Sequence, residues 1–263
     1  MSSSTHQFKT FNYRLLGMIG ILGVCLAGVI GLQSSKLQTL TKGKLYNYDY
    51  QKDSDLEKIR LDLLKSIPPF GFQNLLADWV MLQFIQYYGD GDARKVTGYG
   101  LSPEYLDVIV KNDPYFVRAY LNISTASSIN AGLPDRTIAI MNEGLKKLNP
   151  NIPEAYYVPL YKGVDELLFR GDIESARKSN ELAAQWAKIA GNNWIERSAD
   201  QTVKYLDNKS DTQIAQVGAW FLVWVNSPDE ATRKLAKDNI EKLGGQLVIS
   251  GDGNVYALPP KKP

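Results

Sequence analysis

Histidine and cysteine are almost absent from this chain. Its 263 residues hold one of each, His6 and Cys25. Neither type occurs beyond residue 34. That excludes Ser-His-Asp and Cys-His catalysis from everything downstream. It also excludes disulfides there, and zinc sites built on His or Cys. A charge of one sign is missing too. Of 30 Lys and Arg, only Lys9 and Arg14 precede residue 34, where there is no acid, so the other 28 balance all 28 Asp and Glu. Nucleic-acid binders normally carry a basic face, and no basic excess exists here to build one. We therefore expect no catalytic residue, no metal, no cofactor and no nucleic-acid partner. What is present is ordinary for a packed protein, 44% hydrophobic and 22% charged.

The first feature along the chain is an uncharged run, Leu15 to Leu32. A transmembrane helix needs about 17–25 apolar residues, so residues 15–32 suffice for an N-terminal transmembrane anchor behind a short tail, 1–14. Gly17, Gly20, Gly23, Gly28 and Gly31 are never four apart, so no GxxxG association motif forms. The competing reading is a cleaved signal peptide. No A-x-A pattern follows Leu26, and Val24 before Cys25 fits a lipoprotein signal poorly. Orientation has two indications. Lys36, Lys42 and Lys44 after the span favour a cytoplasmic domain, whereas a short tail before a first span favours export to a periplasm or lumen.

Residues 33–69 read as linker and first helix. Tyr46, Tyr48 and Tyr50 suit either an interfacial aromatic belt or an extended linker. The helix starts at Asp53-Ser54-Asp55, puts Leu56, Ile59 and Leu63 on one face and stops at Pro68-Pro69. Phe72 to Tyr88 is apolar nearly all round and predicts a helix buried on several sides, with Asp78 its only charge. Gly89 to Arg94 resembles part of a calcium loop, but Arg94, Lys95 and Val96 stand where ligands should follow, so a flexible loop is expected. Ser102-Pro103 opens a helix that ends at Asn112, with Ser102 as N-cap.

From Asn112 the chain repeats. Asp135 with Ala139, Asp172 with Ala176 and Asp211 with Ala215 recur at offsets of 37 and 39, a period typical of stacked helical hairpins. Phe116, Ala119, Tyr120, Ile123 and Ala126 stripe the first helix of the first pair, and Ile138, Met141, Leu145 and Leu148 its second. In the next pair Leu160, Val164, Leu167 and Leu168 face Ala176, Leu182, Ala183 and Trp186. A third pair is expected over about 193–206 and 211–225. Ser227-Pro228-Asp229-Glu230 opens a polar capping helix through Leu243, with Ser227 as N-cap. Residues 244–263 give a β-hairpin, Gln246–Ser250 with Asn254–Leu258, and a tail.

These units resemble degenerate tetratricopeptide repeats. The match rests on Gly171-Asp172 with Ala176, supported by Asp135/Ala139 and Asp211/Ala215, with Gly163 and Ser127 as the small residues of the first helices. Asn180 and Glu143 depart from the family, which usually has an aromatic there, as does Lys188, where it often has Pro. The run from Phe70 to Asp90 behind an anchor also resembles membrane-anchored repeat proteins of photosynthetic bacteria.

The resemblance implies an all-α, TPR-like solenoid over residues 70–243 and a concave surface lined by each first helix. It points to Ser124, Ser128, Tyr161, Asp165, Arg197, Asp200 and Lys204 as partner-binding residues. The expected function is a single-pass scaffold in a bacterial inner or thylakoid membrane, assembling a membrane complex by binding a protein segment. A permanent subunit of such a complex is the alternative. A lytic cell-wall enzyme with Glu174 as acid is the enzymatic one.

Overall fold

The computed structural model describes residues 17–31, 34, 49–68, 70–208, 212–250 and 255–260. It divides into residues 1–49 and 50–263. In the first unit, residues 17–31 form helix α1, exposed throughout. Among the described residues no helix is long and apolar enough to cross a membrane. The ends of the 15–32 run and the Tyr46 and Tyr48 stretch lie outside the described residues.

The second unit is helical with one small antiparallel hairpin. Helix α2 (Tyr50–Ser66) packs on α4 (Gly91–Thr97) and α5 (Ser102–Asn112). Its buried residue is Leu61, and the expected face of Leu56, Ile59 and Leu63 points to solvent. Helix α3 (Gln73–Gly89) also packs on α5. It buries Ala77, Val80, Phe84 and Tyr87, a single stripe, and leaves Asp78 exposed. So α3 is not buried on several sides: one neighbour covers one stripe. The expected loop at Gly91 is instead α4, because the Asp90 side chain accepts from the Ala93 N–H (3.1 Å) and caps it. Arg94 is buried there, its guanidinium 3.7 Å from the Tyr87 ring and 3.0 Å from the Gly98 carbonyl it donates to.

Helix α5 is the centre of the first core. Tyr105, Leu106, Val108, Ile109 and Val110 are all buried, since α2 and α3 cover one side while α6 (Val117–Ile123) and α7 (Pro134–Leu145) cover the other. Leu101, not Ser102, precedes the first turn as N-cap. The chain leaves α6 through a π-helical turn, Ser124–Ile129. Helices α8 (Tyr157–Leu168), α9 (Ile173–Ile189) and α10 (Asn193–Asp207) follow, and each packs on the one before it from α7 onward. Gly163 fits the close approach of α8 to α9, where a Cβ would stand 2.6 Å from the Asn180 amide. Val164, expected to face α9, is exposed.

The third pair does not form as expected. Helix α11 (Gln213–Asn226) packs on α12 (Glu230–Lys242), the π-helical turn, α8 and the hairpin, rather than on α10. Helix α12 does not cap an open end. Its N-cap is Asp229, which accepts from the Thr232 N–H (2.9 Å), while Ser227 donates to the Val223 carbonyl (2.7 Å). Asp229 lies against Gly98, and Leu235 against Gly132, turns that adopt φ of +62° and +66°. Strands β1 (Gln246–Ile249) and β2 (Val255–Leu258) pair as expected, Gln246 opposite Leu258, and pack on α12 and α11.

Candidate functional site

The residues expected to line one groove separate into two places. Ser124, Ser128 and Asp165 are buried. The π-helical turn aims both serines at α8, where the Ser124 hydroxyl donates to Asp165 Oδ2 at 2.7 Å. Ser128 donates to Thr137 Oγ1 at 2.9 Å, tying the turn to α7. Burial pushes the Asp165 carboxyl up to about 7, against the lowering effect of the Ser124 and Ser128 hydroxyls, with the Glu166 charge adding to the rise. The next residue, Glu166, is buried against α9. It accepts from Lys162 and from Ser179 Oγ, both at 2.6 Å. These carboxyls join helices of the same unit. They are corrections to the groove reading: a polar residue on a helix is exposed only when no neighbour packs over it.

Arg197, Asp200 and Lys204 do face solvent, on one side of α10. Trp194, 70% exposed, and Tyr205, 54% exposed, share that side. Helix α10 is held from behind by α9 through Ala183, Ala184 and Ala199. Tyr161 is at the margin of exposure on α8, beside Tyr157 (ring centroids 6.3 Å apart). Helices α8 and α10 both pack on α9 rather than on each other. The seven expected residues therefore line no common groove.

The repeat turns divide in the same way. Asp172 accepts from the Ser175 N–H (3.0 Å) as N-cap, and Ala176 is fully buried. Asp135 lies inside α7 with its side chain exposed, 3.5 Å from Arg170, and Ala139 is exposed. Ala215 is exposed, and Asp211 lies outside the described residues. The N-caps are Leu133, Asp172 and Thr212, spaced by 39 and 40. Four residues after each come Thr137, Ala176 and Gln216, all buried. The spatial repeat is thus two positions off the literal Asp-x-x-x-Ala match in the first unit and one off in the third.

Glu174, the candidate acid, sits exposed in the first turn of α9. Hydrogen bonds from Lys178 and then Arg177 hold its carboxyl below the usual range. A general acid requires the opposite shift. No group of His, Cys, Asp and Glu suited to a metal ion is present among the described residues.

One surface escaped the sequence reading. Leu56, Ile59 and Leu63 of α2, Phe70 and Phe72 of the turn, and Leu75, Trp79 and Leu82 of α3 are all exposed. Phe72, Leu75, Leu76 and Trp79 line an apolar hollow of about 440 Å³. The signal was there in Leu56, Ile59 and Leu63 at helical spacing, but spacing says which residues share a face and not whether anything covers it. No protein-family model matches the chain, and no curated protein or solved structure matches it significantly.

Proposed function

We propose that this chain is a scaffold tethered to a membrane by residues 15–32, which binds a protein partner during assembly of a membrane complex. Its helices α6 to α10 act as a short tetratricopeptide-like series. The observation that carries the reading is the outer face of α10. Trp, Tyr and Arg are the residues enriched in binding hot spots, and Trp194, Arg197 and Tyr205 stand together on a helix fixed only through its inner side. Asp200 and Lys204 supply a polar rim. The absence of His and Cys beyond residue 34 agrees with a binding role.

A photo-crosslinking residue at position 197 of the full chain in native membranes should yield one dominant adduct with a membrane-complex subunit. Trp194→Ala with Tyr205→Ala should reduce that adduct by more than tenfold, while Trp194→Ala alone, whose ring is 70% exposed, leaves the circular-dichroism melt unchanged. An adduct that survives both truncations sinks the assignment of α10 as the docking helix.

A further inference from the structure

Large apolar side chains stand exposed along α2, at Phe70 and Phe72, and along α3. Leu56, Ile59, Leu63 and Ile67 fall on the side of α2 opposite the buried Leu61. Arg60 flanks that side and reaches the Trp79 ring of α3, 5.2 Å from its centroid. That contact links α2 to the exposed side of α3, where Leu75, Trp79 and Leu82 recur at i, i+4 and i+7. Phe70, 80% exposed, and Phe72 fill the turn between them. Contiguous apolar surface of this kind marks a site covered by something else.

Two properties identify the cover. The first is chain length. The apolar run ends at Leu32 and α2 begins at Tyr50, leaving residues 33–49 between them. At about 3.5 Å per residue these can span at most about 60 Å, which bounds how far the start of α2 lies from residues 15–32. Helix α2 is the first element of the unit after that link, so its exposed side stays within that reach of whatever residues 15–32 enter. The second is charge. Helix α2 carries Lys52, Lys58, Arg60 and Lys65 against Asp53, Asp55, Glu57 and Asp62, and α3 carries only Asp78. The two helices together sum to a single negative charge, too little for a charged peptide to match. Their exposed face offers aliphatic side chains with aromatic rings among them, the composition that settles at a lipid–water interface.

We infer that the α2–α3 face rests on the lipid bilayer, covered by the acyl-chain boundary of a neutral membrane. The inference rests on the tether proposed above. It assigns α2 and α3 to lipid and is separate from the protein-docking role proposed for α10.

The test uses the full chain with Cys25→Ser, reconstituted in dioleoylphosphatidylcholine vesicles. A single cysteine at position 59, 75 or 82 carries an environment-sensitive fluorophore, and Lys237→Cys serves as the exposed control. The expected result is flotation with the vesicles, with blue-shifted emission at 59, 75 and 82 but not at 237. Doxyl-labelled lipid should quench the first three at least threefold more than the control, equally at low and high salt. Flotation with water-like, unquenched emission at all four positions overturns this inference alone. A blue shift that lipid does not quench, with cross-links between copies, assigns the face to self-association and overturns it too. A chain that fails to float overturns the tether and this inference together.

Discussion

Asp165 is a charged helix residue that is 1% exposed, where the groove expected it to face solvent. Its carboxyl is buried between α8 and the π-helical turn, and burial raises it from 3.8 to about 7. The folded state therefore binds a proton that the unfolded state releases between those two values. Where the folded state holds more protons, stability falls as pH rises. The contribution is fully present below about 3.8 and is lost as pH passes through about 7. At 1.36 kcal/mol per pH unit, the loss reaches up to about 4 kcal/mol. Asp165→Asn keeps an acceptor for the Ser124 hydroxyl and removes the charge. It should stabilise the protein by about 1–3 kcal/mol at pH 8, with the gain shrinking toward pH 4. Urea unfolding of parent and variant at a series of pH values measures this, and a difference constant with pH contradicts it. None of this was legible in the sequence. The partners of Asp165 lie 41 and 37 positions earlier, Ser124 and Ser128, and no local pattern reports a contact at that separation. Chemistry with local causes is easier to read: the Gly171-Asp172 turn stands at the start of α9 and the small Gly163 where α8 meets α9.

At the scale of elements, helix existence was legible and coverage was not. The stripes of α6, α7 and α9 and the two paired strands have local causes, and those elements stand where the pattern put them. The register of the repeat was misplaced because Asp and Ala are common enough to recur by chance. The physical constraint is instead a glycine at positive φ before the N-cap, Gly132 and Gly171, and a buried residue four after it. Helix α2 shows what replaces burial where burial is small. With Leu61 alone buried, it is held to α5 by ion pairs that Arg136 of α7 joins from the other side. Lys65 reaches Glu104 and, at 3.4 Å, Asp107, while Arg136 reaches Glu104 at 2.9 Å and Asp107 at 3.6 Å. Burial opposes ionisation of both Lys65 and Glu104, but their mutual hydrogen bond and charges prevail, raising the lysine and lowering the acid. Glu104→Gln should loosen α2 by about 1 kcal/mol. Hydrogen exchange should then speed up across residues 50–66 roughly fivefold, with little change in α9. Uniform acceleration throughout the unit would show that α2 is not an independently opening element.

At the scale of the whole second unit, the decisive contacts join distant parts of the chain. An open array of repeats touches only its neighbours and unfolds as a sum of local terms. Here the last helices return to the first half. Ser227 donates to the Asn130 carbonyl, 97 positions away, Asp229 lies against Gly98, and Leu235 against Gly132. Helix α11 meanwhile packs on α8 and the π-helical turn. Such closure couples α3 to α11, so residues 50–263 should unfold in one cooperative step. Tryptophans report the two regions separately, Trp79 on α3 and Trp220 and Trp224 on α11. Single-tryptophan variants should give urea midpoints that coincide, and divergent midpoints would return the molecule to the open-array description. Gly98→Ala sharpens the test. A Cβ there meets the Asp229 carboxylate, and φ of +62° strains any L side chain. The substitution should cost about 1–3 kcal/mol and lower the melting temperature by about 2–4 °C for each kcal/mol lost. Because Gly98 touches the entry to α12, the drop should register at Trp220 as fully as at Trp79. A fall seen at Trp79 alone would mean that the contact between Gly98 and Asp229 transmits nothing, and that each half of the unit keeps its own stability.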